Sequence, residues 1–347
     1  MNIMDFINQL MTNRVLIVIT VLILLVIFVN GSTDAPNAIA TCVSTRALTP
    51  KKAILIAVIF NFLGILVMTY FSRKVALTIF NLVDFTNDPN KASITLCSAM
   101  IGIVIWAVLA WCFGIPTSES HALIAGLSGA SIALSRGLSG INFSEWITVI
   151  YGLVLTTIFG FVLGYTICKL IVLIFRNTNR IKSNNFFKKA QIVGCAGMSF
   201  MHGAQDGQKF IGVFLLGICF GQGNVQGGNF DIPIWLMIIC SLMMSIGTSV
   251  GGLKIIKTVG MDMVKLESHQ GFASDIAGTI GLFVLSVLGI PVSTTHMKTT
   301  AIMGVAASKN VHSVKWDIVK EMALTWILTF PGCGLIGYLI TKLLLFL

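Results

Sequence analysis

The stretch Asn30-Gly31-Ser32-Thr33-Asp34-Ala35-Pro36-Asn37-Ala38-Ile39-Ala40 follows an apolar run of fourteen residues, Leu16 to Val29. A carboxylate, a proline and two amides at that place are costly against lipid, because hydrocarbon offers no partner for a charge or for backbone groups left unpaired. The stretch therefore lines a site inside the protein. An altered copy stands at His202-Gly203-Ala204-Gln205-Asp206-Gly207-Gln208-Lys209-Phe210-Ile211-Gly212, where Gly203 matches Gly31, Asp206 matches Asp34 and Ile211 matches Ile39 at an offset of 172 residues. A long-period internal repeat is the first reading to test.

Two further matches support it. Gly114-Ile115-Pro116-Thr117-Ser118-Glu119-Ser120-His121 recurs as Gly289-Ile290-Pro291-Val292-Ser293-Thr294-Thr295-His296 at an offset of 175, with Gly129 and Gly304 matched further on. Gly164-Tyr165 with Lys169-Leu170 recurs as Gly337-Tyr338 with Lys342-Leu343 at an offset of 173. The order of the elements is the same in both halves. The chain divides into a first membrane repeat, 1–175, a basic linker, 176–190, and a second membrane repeat, 191–347.

Composition places these repeats in a bilayer. Of 347 residues 56% are hydrophobic and 10% charged, where a soluble domain carries about a quarter charged. The chain is an all-α polytopic membrane protein, and its apolar stretches are long enough for about 30 Å of hydrocarbon. The expected spans are Leu16 to Val29 continuing through the motif, Ala53 to Phe71, Ile94 to Phe113, Trp146 to Phe175, Ile192 to Gly217, Ile234 to Val250, Phe272 to Leu288 and Trp316 to Leu345. The net charge of +10 lies in loops beside these spans, as the positive-inside rule requires, so no nucleic-acid partner is implied. Five basic and no acidic residues between Arg176 and Lys189 place the linker on the cytoplasmic side of the plasma (cell inner) membrane. The cysteines stand singly, without the spacing of a zinc site, and no cofactor is called for. No cleavage pattern marks the N-terminus, so the first apolar run is read as retained.

Along the chain, the first helix breaks at Asn30-Gly31 and Pro36 and restarts with Thr33 or Asp34 as cap. Asp84 to Lys91 and Gly221 to Gly228 read as loops, and Lys254 to Lys265 as a surface segment with amphipathic charge spacing. Ala122 to Ser135 is rich in Gly, Ala and Ser and short for a full crossing, which suggests a re-entrant hairpin wedged among neighbours. Gly160-x-x-x-Gly164 marks a helix-packing or dimer surface.

The Asn30 to Ala38 stretch, the His202 to Lys209 stretch and the two Pro-x-Ser-x-x-His elements together resemble the inorganic phosphate transporter (PiT) family of secondary carriers, bacterial low-affinity phosphate permease type, over essentially the whole chain. That resemblance implies two inverted-topology repeats with broken helices and two re-entrant hairpins meeting near the midplane, a homodimer, and inorganic phosphate moved by symport with Na+ or H+. If the repeats are inverted, each crosses an odd number of times, and a cytoplasmic linker puts both termini outside.

The residues support that assignment chemically. A tetrahedral oxyanion in a membrane needs many donors. Thr117, Ser118 and Ser120 facing Ser293, Thr294 and Thr295 supply hydroxyls, each at the start of a short helix whose free N–H groups favour an anion. Gln208 and Lys209 add an amide and a positive charge. Asp34, Asn37 and Asp206 are the expected seat of the coupling cation, Na+ included, since an intramembrane carboxylate is functional by default. His121 and His296 either fasten the hairpins or carry a proton. Glu119, matched by Thr294 in the second copy, is a candidate selectivity element, because an ionised carboxylate accepts from the P–OH of phosphate and repels sulfate. Its alternative role is to cap the hairpin helix or pair with a lysine. Asn37 is matched by Lys209, which replaces an oxygen ligand for Na+ by an ammonium, so H+ coupling is favoured over Na+. Bacterial family members with an Asp-Gly-Gln-Lys stretch point the same way. The rival readings are a sulfate permease of the same fold and an intramembrane hydrolase. The second lacks both a Gly-x-Ser-x-Gly elbow and a His-Glu-x-x-His helix.

Overall fold

A computed structural model of the chain describes residues 2–85, 88–113, 117–223, 231–250, 256 and 264–346. The helices are α1 (Ile3–Thr12), α2 (Arg14–Thr33), α3 (Ala35–Ser44), α4 (Pro50–Phe71), α5 (Lys74–Phe80), α6 (Pro89–Phe113), α7 (Glu119–Ser135), α8 (Phe143–Phe175), α9 (Arg180–Gly221), α10 (Ile234–Val250), α11 (Ser268–Leu288), α12 (Thr294–Lys309) and α13 (Trp316–Phe346). No β-strand occurs among the described residues. Six helical stretches, Arg14–Ser44, Pro50–Phe71, Pro89–Phe113, Phe143–Phe175, Ser268–Leu288 and Trp316–Phe346, are long and apolar enough to cross a membrane. The remaining two expected spans are helical as well: α10 is apolar but 17 residues long, and Ile192 to Gly217 lies inside the 42-residue α9, which carries the polar second motif.

Side-chain amides start several of these helices. Asn13 Oδ1 accepts from the Val15 and Leu16 amides ahead of α2, Asn142 from Ser144 ahead of α8, and Asn179 from Ile181 and Lys182 ahead of α9. Each satisfies N–H groups that have no partner within the helix. Because α9 starts at Arg180, only Arg176 to Asn179 of the basic linker separate it from α8.

The first motif breaks its helix as expected. Pro36 cannot donate to the preceding turn, α2 stops at Thr33, and α3 restarts at Ala35 with Asp34 in the cap position but without a capping hydrogen bond from its side chain. The second motif corrects the expectation: α9 runs unbroken through His202 to Gly212. The position matching Pro36 is Gln208, whose backbone N–H keeps the helical ladder intact, so only one of the two matched carboxylates sits at a break. The Gly114 to Pro116 turn, the Gly221 to Gly228 loop beyond Gly223, residues 86 and 87 of the Asp84 to Lys91 loop, and most of Lys254 to Lys265 lie outside the described residues.

The two halves interlock. Helix α7 packs on α13 and α12 on α8, while α4 packs on α9 and α10 on α2, so each short buried helix leans on the last long helix of the other half. Matched glycines make these crossings possible. A Cβ at Gly129 would stand 2.0 Å from the Gly334 carbonyl oxygen of α13, and one at Gly304 2.0 Å from the Phe161 carbonyl oxygen of α8. The Gly160-x-x-x-Gly164 motif also packs internally, against Thr300 and Ala301 of α12.

Polarity is arranged for lipid outside. Ile147, Ile150, Val154, Ile158 and Val162 form an exposed apolar stripe along α8, whereas α7 and α12 are buried along most of their length despite many polar residues. The largest apolar cluster gathers side chains of α2, α6, α7, α9 and α10. It holds one flank of the polar centre in place.

Gly304→Val tests the interlocking. A branched side chain against a carbonyl has no room to relax, so the variant should lose about 1–3 kcal/mol or more of stability, read as a lowered unfolding temperature and reduced folded yield in detergent, while Lys309→Ala, at the exposed end of the same helix, should do neither.

Candidate functional site

Two helix N-termini meet at the centre of the molecule. Ser118 caps α7 by accepting from the His121 amide (3.3 Å), and Ser293 caps α12 by accepting from the His296 amide (3.2 Å). The two cap hydroxyls touch, Ser118 Oγ donating to Ser293 Oγ at 2.8 Å. Behind them the His121 and His296 rings meet edge to face, with centroids 4.4 Å apart. His121 also lies on Phe330 at 4.6 Å and His296 on Trp326 at 3.7 Å, both from α13. The histidines thus pin both tips to one helix. The converging dipole ends and unpaired N–H groups make the tip pair an anion-attracting place.

Around the tips, the two motifs contribute matched but unequal sets. In the first, Asp34 Oδ1 accepts from Asn37 Nδ2 (2.7 Å) and from the Thr295 hydroxyl, and Asn37 Nδ2 also reaches Thr295 Oγ1 (3.0 Å). In the second, Lys209 Nζ donates to Asp206 Oδ1 (2.6 Å), to Ser120 Oγ (2.5 Å) and to the Val292 carbonyl (2.5 Å). Lys209 stands where Asn37 stands, and Ser120 where Thr295 stands. The ammonium is 1% exposed, so it does not reach for the interface. It neutralises Asp206 from within.

Asp206 Oδ2 receives further donors across the halves, Asn30 Nδ2 at 3.3 Å and Thr294 Oγ1 at 3.4 Å. Glu119 is buried and accepts from Thr33 Oγ1 at 3.2 Å. The cap of α7 is Ser118, and the contact of Glu119 is with the break in the first motif rather than with a lysine. Thr117 is buried beside the tip. Gln208 is buried too, but neither amide atom has a hydrogen-bond partner among the described residues.

Three buried oxygens near the break, Asn30 Oδ1, Asp34 Oδ2 and Asn37 Oδ1, likewise lack any donor. Unpaired buried acceptors are costly, and a proton or a hard cation is the chemistry that would satisfy them. Asp34, His202 and Asp206 each offer an atom within 4.8 Å of the others. Lys209 already supplies a positive charge there, which disfavours a multivalent metal ion.

His202 is a site residue that the sequence reading passes over. Asn61 donates to Thr248 Oγ1 at 3.2 Å and turns its oxygen to His202 Nδ1 at 3.0 Å. Nδ1 therefore carries the hydrogen, and Nε2 faces Asp206 Oδ2 at 3.4 Å. Two acceptors face each other, and a proton completes the pair. Asp275, Lys298 and Thr41 form a second buried polar group that also escapes the sequence reading, although a charge inside an apolar segment is the same signal that marks Asp34.

Comparison with known proteins shows the family. The sequence profile of the phosphate transporter family matches residues 30–186 and again 173–337, one match for each half. A probable low-affinity inorganic phosphate transporter of Bacillus subtilis (strain 168) is 36% identical over 337 residues, covering 95% of this chain and 99% of that protein. A protein of the same description from Rhizobium meliloti (strain 1021) is 36% identical, covering 90% of this chain and 91% of its own length. Among solved structures, a sodium-dependent phosphate transporter superposes with a TM-score of 0.88 over 96% of this chain and 100% of its own, at 23% identity, and shares the fold. With a family match in each half and relatives 36% identical over nearly their whole length, this chain of membrane-spanning helices is a multi-pass plasma-membrane protein that belongs to the phosphate transporter family.

Proposed function

We propose that the chain carries inorganic phosphate across the plasma membrane by symport, binding the anion at the meeting tips of α7 and α12. The observation that carries this reading is the contact of the two cap hydroxyls, Ser118 and Ser293, at 2.8 Å, with Lys209 buried beside them. Two helix N-termini, the hydroxyls of Thr117, Ser120, Thr294 and Thr295, and one ammonium suit a tetrahedral oxyanion. Gln208 is the unsatisfied amide available to it. The sodium-dependent phosphate transporter and the probable phosphate transporters of similar sequence support phosphate as the cargo. Sulfate is the competing cargo within the same fold.

In this reading residues 1–175 and 191–347 are inverted repeats, α7 and α12 are the inner arms of re-entrant hairpins, the linker is cytoplasmic and both termini are outside. The crossed packing of each short helix on the last helix of the other half supports a pair of gates that rock about one fixed centre. The carrier is a homodimer, as the resemblance implies.

The coupling cation belongs at Asp34, Asn37 and Asp206. Lys209 on Asp206 takes the electrostatic place of one cation permanently, and the acceptor pair His202 Nε2 and Asp206 Oδ2 at 3.4 Å offers a seat for a proton, so H+ is the coupling ion. Na+ is the second reading, favoured by the unpaired oxygens of Asn30, Asp34 and Asn37 and by the sodium dependence of the structural neighbour. Either cation bound beside the anion strengthens the anion's binding, and the reverse follows.

Three measurements test this. Asp34→Asn and Asp206→Asn should each lower coupled phosphate uptake into proteoliposomes by about tenfold or more while the protein remains folded; full uptake with unchanged cation dependence in both would remove the cation role. Uptake should follow an imposed pH gradient without Na+, and Lys209→Asn should gain Na+ dependence; uptake that needs Na+ and ignores the gradient decides for sodium. Glu119→Gln should admit labelled sulfate, with the phosphate-to-sulfate preference falling by about tenfold or more; an unchanged preference leaves Glu119 as the partner of Thr33 alone.

A further inference from the structure

A second charged centre lies on the linker side of the tips. Lys298 Nζ on α12 pairs with Asp275 Oδ1 on α11, and both bond the Thr41 hydroxyl of α3, which donates to Asp275 at 2.6 Å and accepts from Lys298 at 3.0 Å. Cys42 Sγ points at Asp275 Oδ2 from 3.8 Å. All of these side chains are buried. Thr41 follows Asn37 by one helical turn, and Lys298 follows Thr295 by one, so the faces of α3 and α12 that build the tip site continue into this centre. It lies about 5–6 Å further along each helix. Beyond it, Thr45 bonds Gln191 Oε1 at 2.8 Å and lines a cavity of about 800 Å³ that Arg176, Arg180 and Lys188 make basic.

The matching place in the repeat has no such centre. The repeat offsets of 172 and 175 residues match Thr41 with Val213, Asp275 with Met100 and Lys298 with Leu123, and all three of those side chains are buried in one apolar cluster. The packing task is thus met by apolar groups at one place and by an ion pair at its match. A buried ion pair holds helices no more tightly than apolar side chains of the same volume. Its distinct property is that it can exchange partners.

Resting on phosphate as the cargo, we propose that Lys298 is a second oxyanion-binding position, latched by Asp275 until phosphate leaves the tips, and that it hands the anion to the basic cavity on the linker side. Phosphate moving one turn along α3 and α12 meets the ammonium next. When Lys298 turns to it, Asp275 keeps the Thr41 hydroxyl as its donor, with the Cys42 thiol, which also points at the Gln191 carbonyl at 3.1 Å, beside it. The matching apolar group of Met100, Leu123 and Val213 stays closed to an anion. The two faces of the carrier therefore differ in their barriers, one ionic and one apolar.

The test transplants the matched apolar residues into this centre, Thr41→Val with Asp275→Met and Lys298→Leu. Purified protein should still be protected from thermal unfolding by inorganic phosphate, with an apparent affinity within about twofold of the parent, while labelled phosphate uptake into proteoliposomes falls by about tenfold or more. A charge-neutral variant, Asp275→Asn with Lys298→Gln, should show the same split and serves if the apolar one does not fold. Uptake at the parent's rate in either folded variant overturns the proposal and makes the pair structural. Loss of phosphate protection together with uptake also overturns it, since the pair would then belong to the tip site or to folding itself. A parent chain that neither binds nor carries phosphate refutes the cargo instead.

Discussion

The hydrogen bond between Ser118 and Ser293 joins the starts of two helices, and the rest of the centre depends on those starts being held together. Two positive helix ends repel unless something acidic or anionic stands near them. Asp34, Glu119 and Asp206 stand there, each supported by a donor from another segment: Thr295 to Asp34, Thr33 to Glu119, Asn30 and Thr294 to Asp206. Asp34 and Asp206 each draw donors from both halves of the chain.

That reciprocity explains the crossed packing. The tips meet only if α7 and α12 approach each other end to end, and each is then supported by the long helix arriving from the opposite half. Glycines at the crossings let backbones touch where a methyl group would collide. His121 and His296 fasten both tips to α13 through Phe330 and Trp326, an aromatic support that one half supplies to both. The symmetry of the sequence is therefore broken in the structure at the supports as well as at Lys209.

The asymmetries have one physical theme. Where the first half has proline and an amide, at Pro36 and Asn37, the second has a glutamine and an ammonium, at Gln208 and Lys209. The first arrangement opens the helix and leaves oxygens unpaired; the second keeps the helix closed and supplies its own cation. Likewise the apolar group of Met100, Leu123 and Val213 has an ionic counterpart in Asp275, Lys298 and Thr41. Matched places thus share a shape and differ in their electrostatics.

The repeat, the membrane class and the polar elements were legible in the sequence, because hydrocarbon penalises any polar residue that lacks a task and so makes functional residues stand out against apolar runs. Asp34, Asp206, the serine-threonine tips and Lys209 were visible for that reason, and the break at Pro36 followed from a missing N–H. The continuity of α9 was readable in principle from the absence of a proline at Gln208, but the likeness of the two motifs masked it. The partners were not readable: which hydroxyl meets which carboxylate, the turning of His202 by Asn61, and the pairing of Lys298 with Asp275 join residues from different helices. Only tertiary packing decides those contacts, since helical periodicity tells which residues share a face and leaves open what that face will meet.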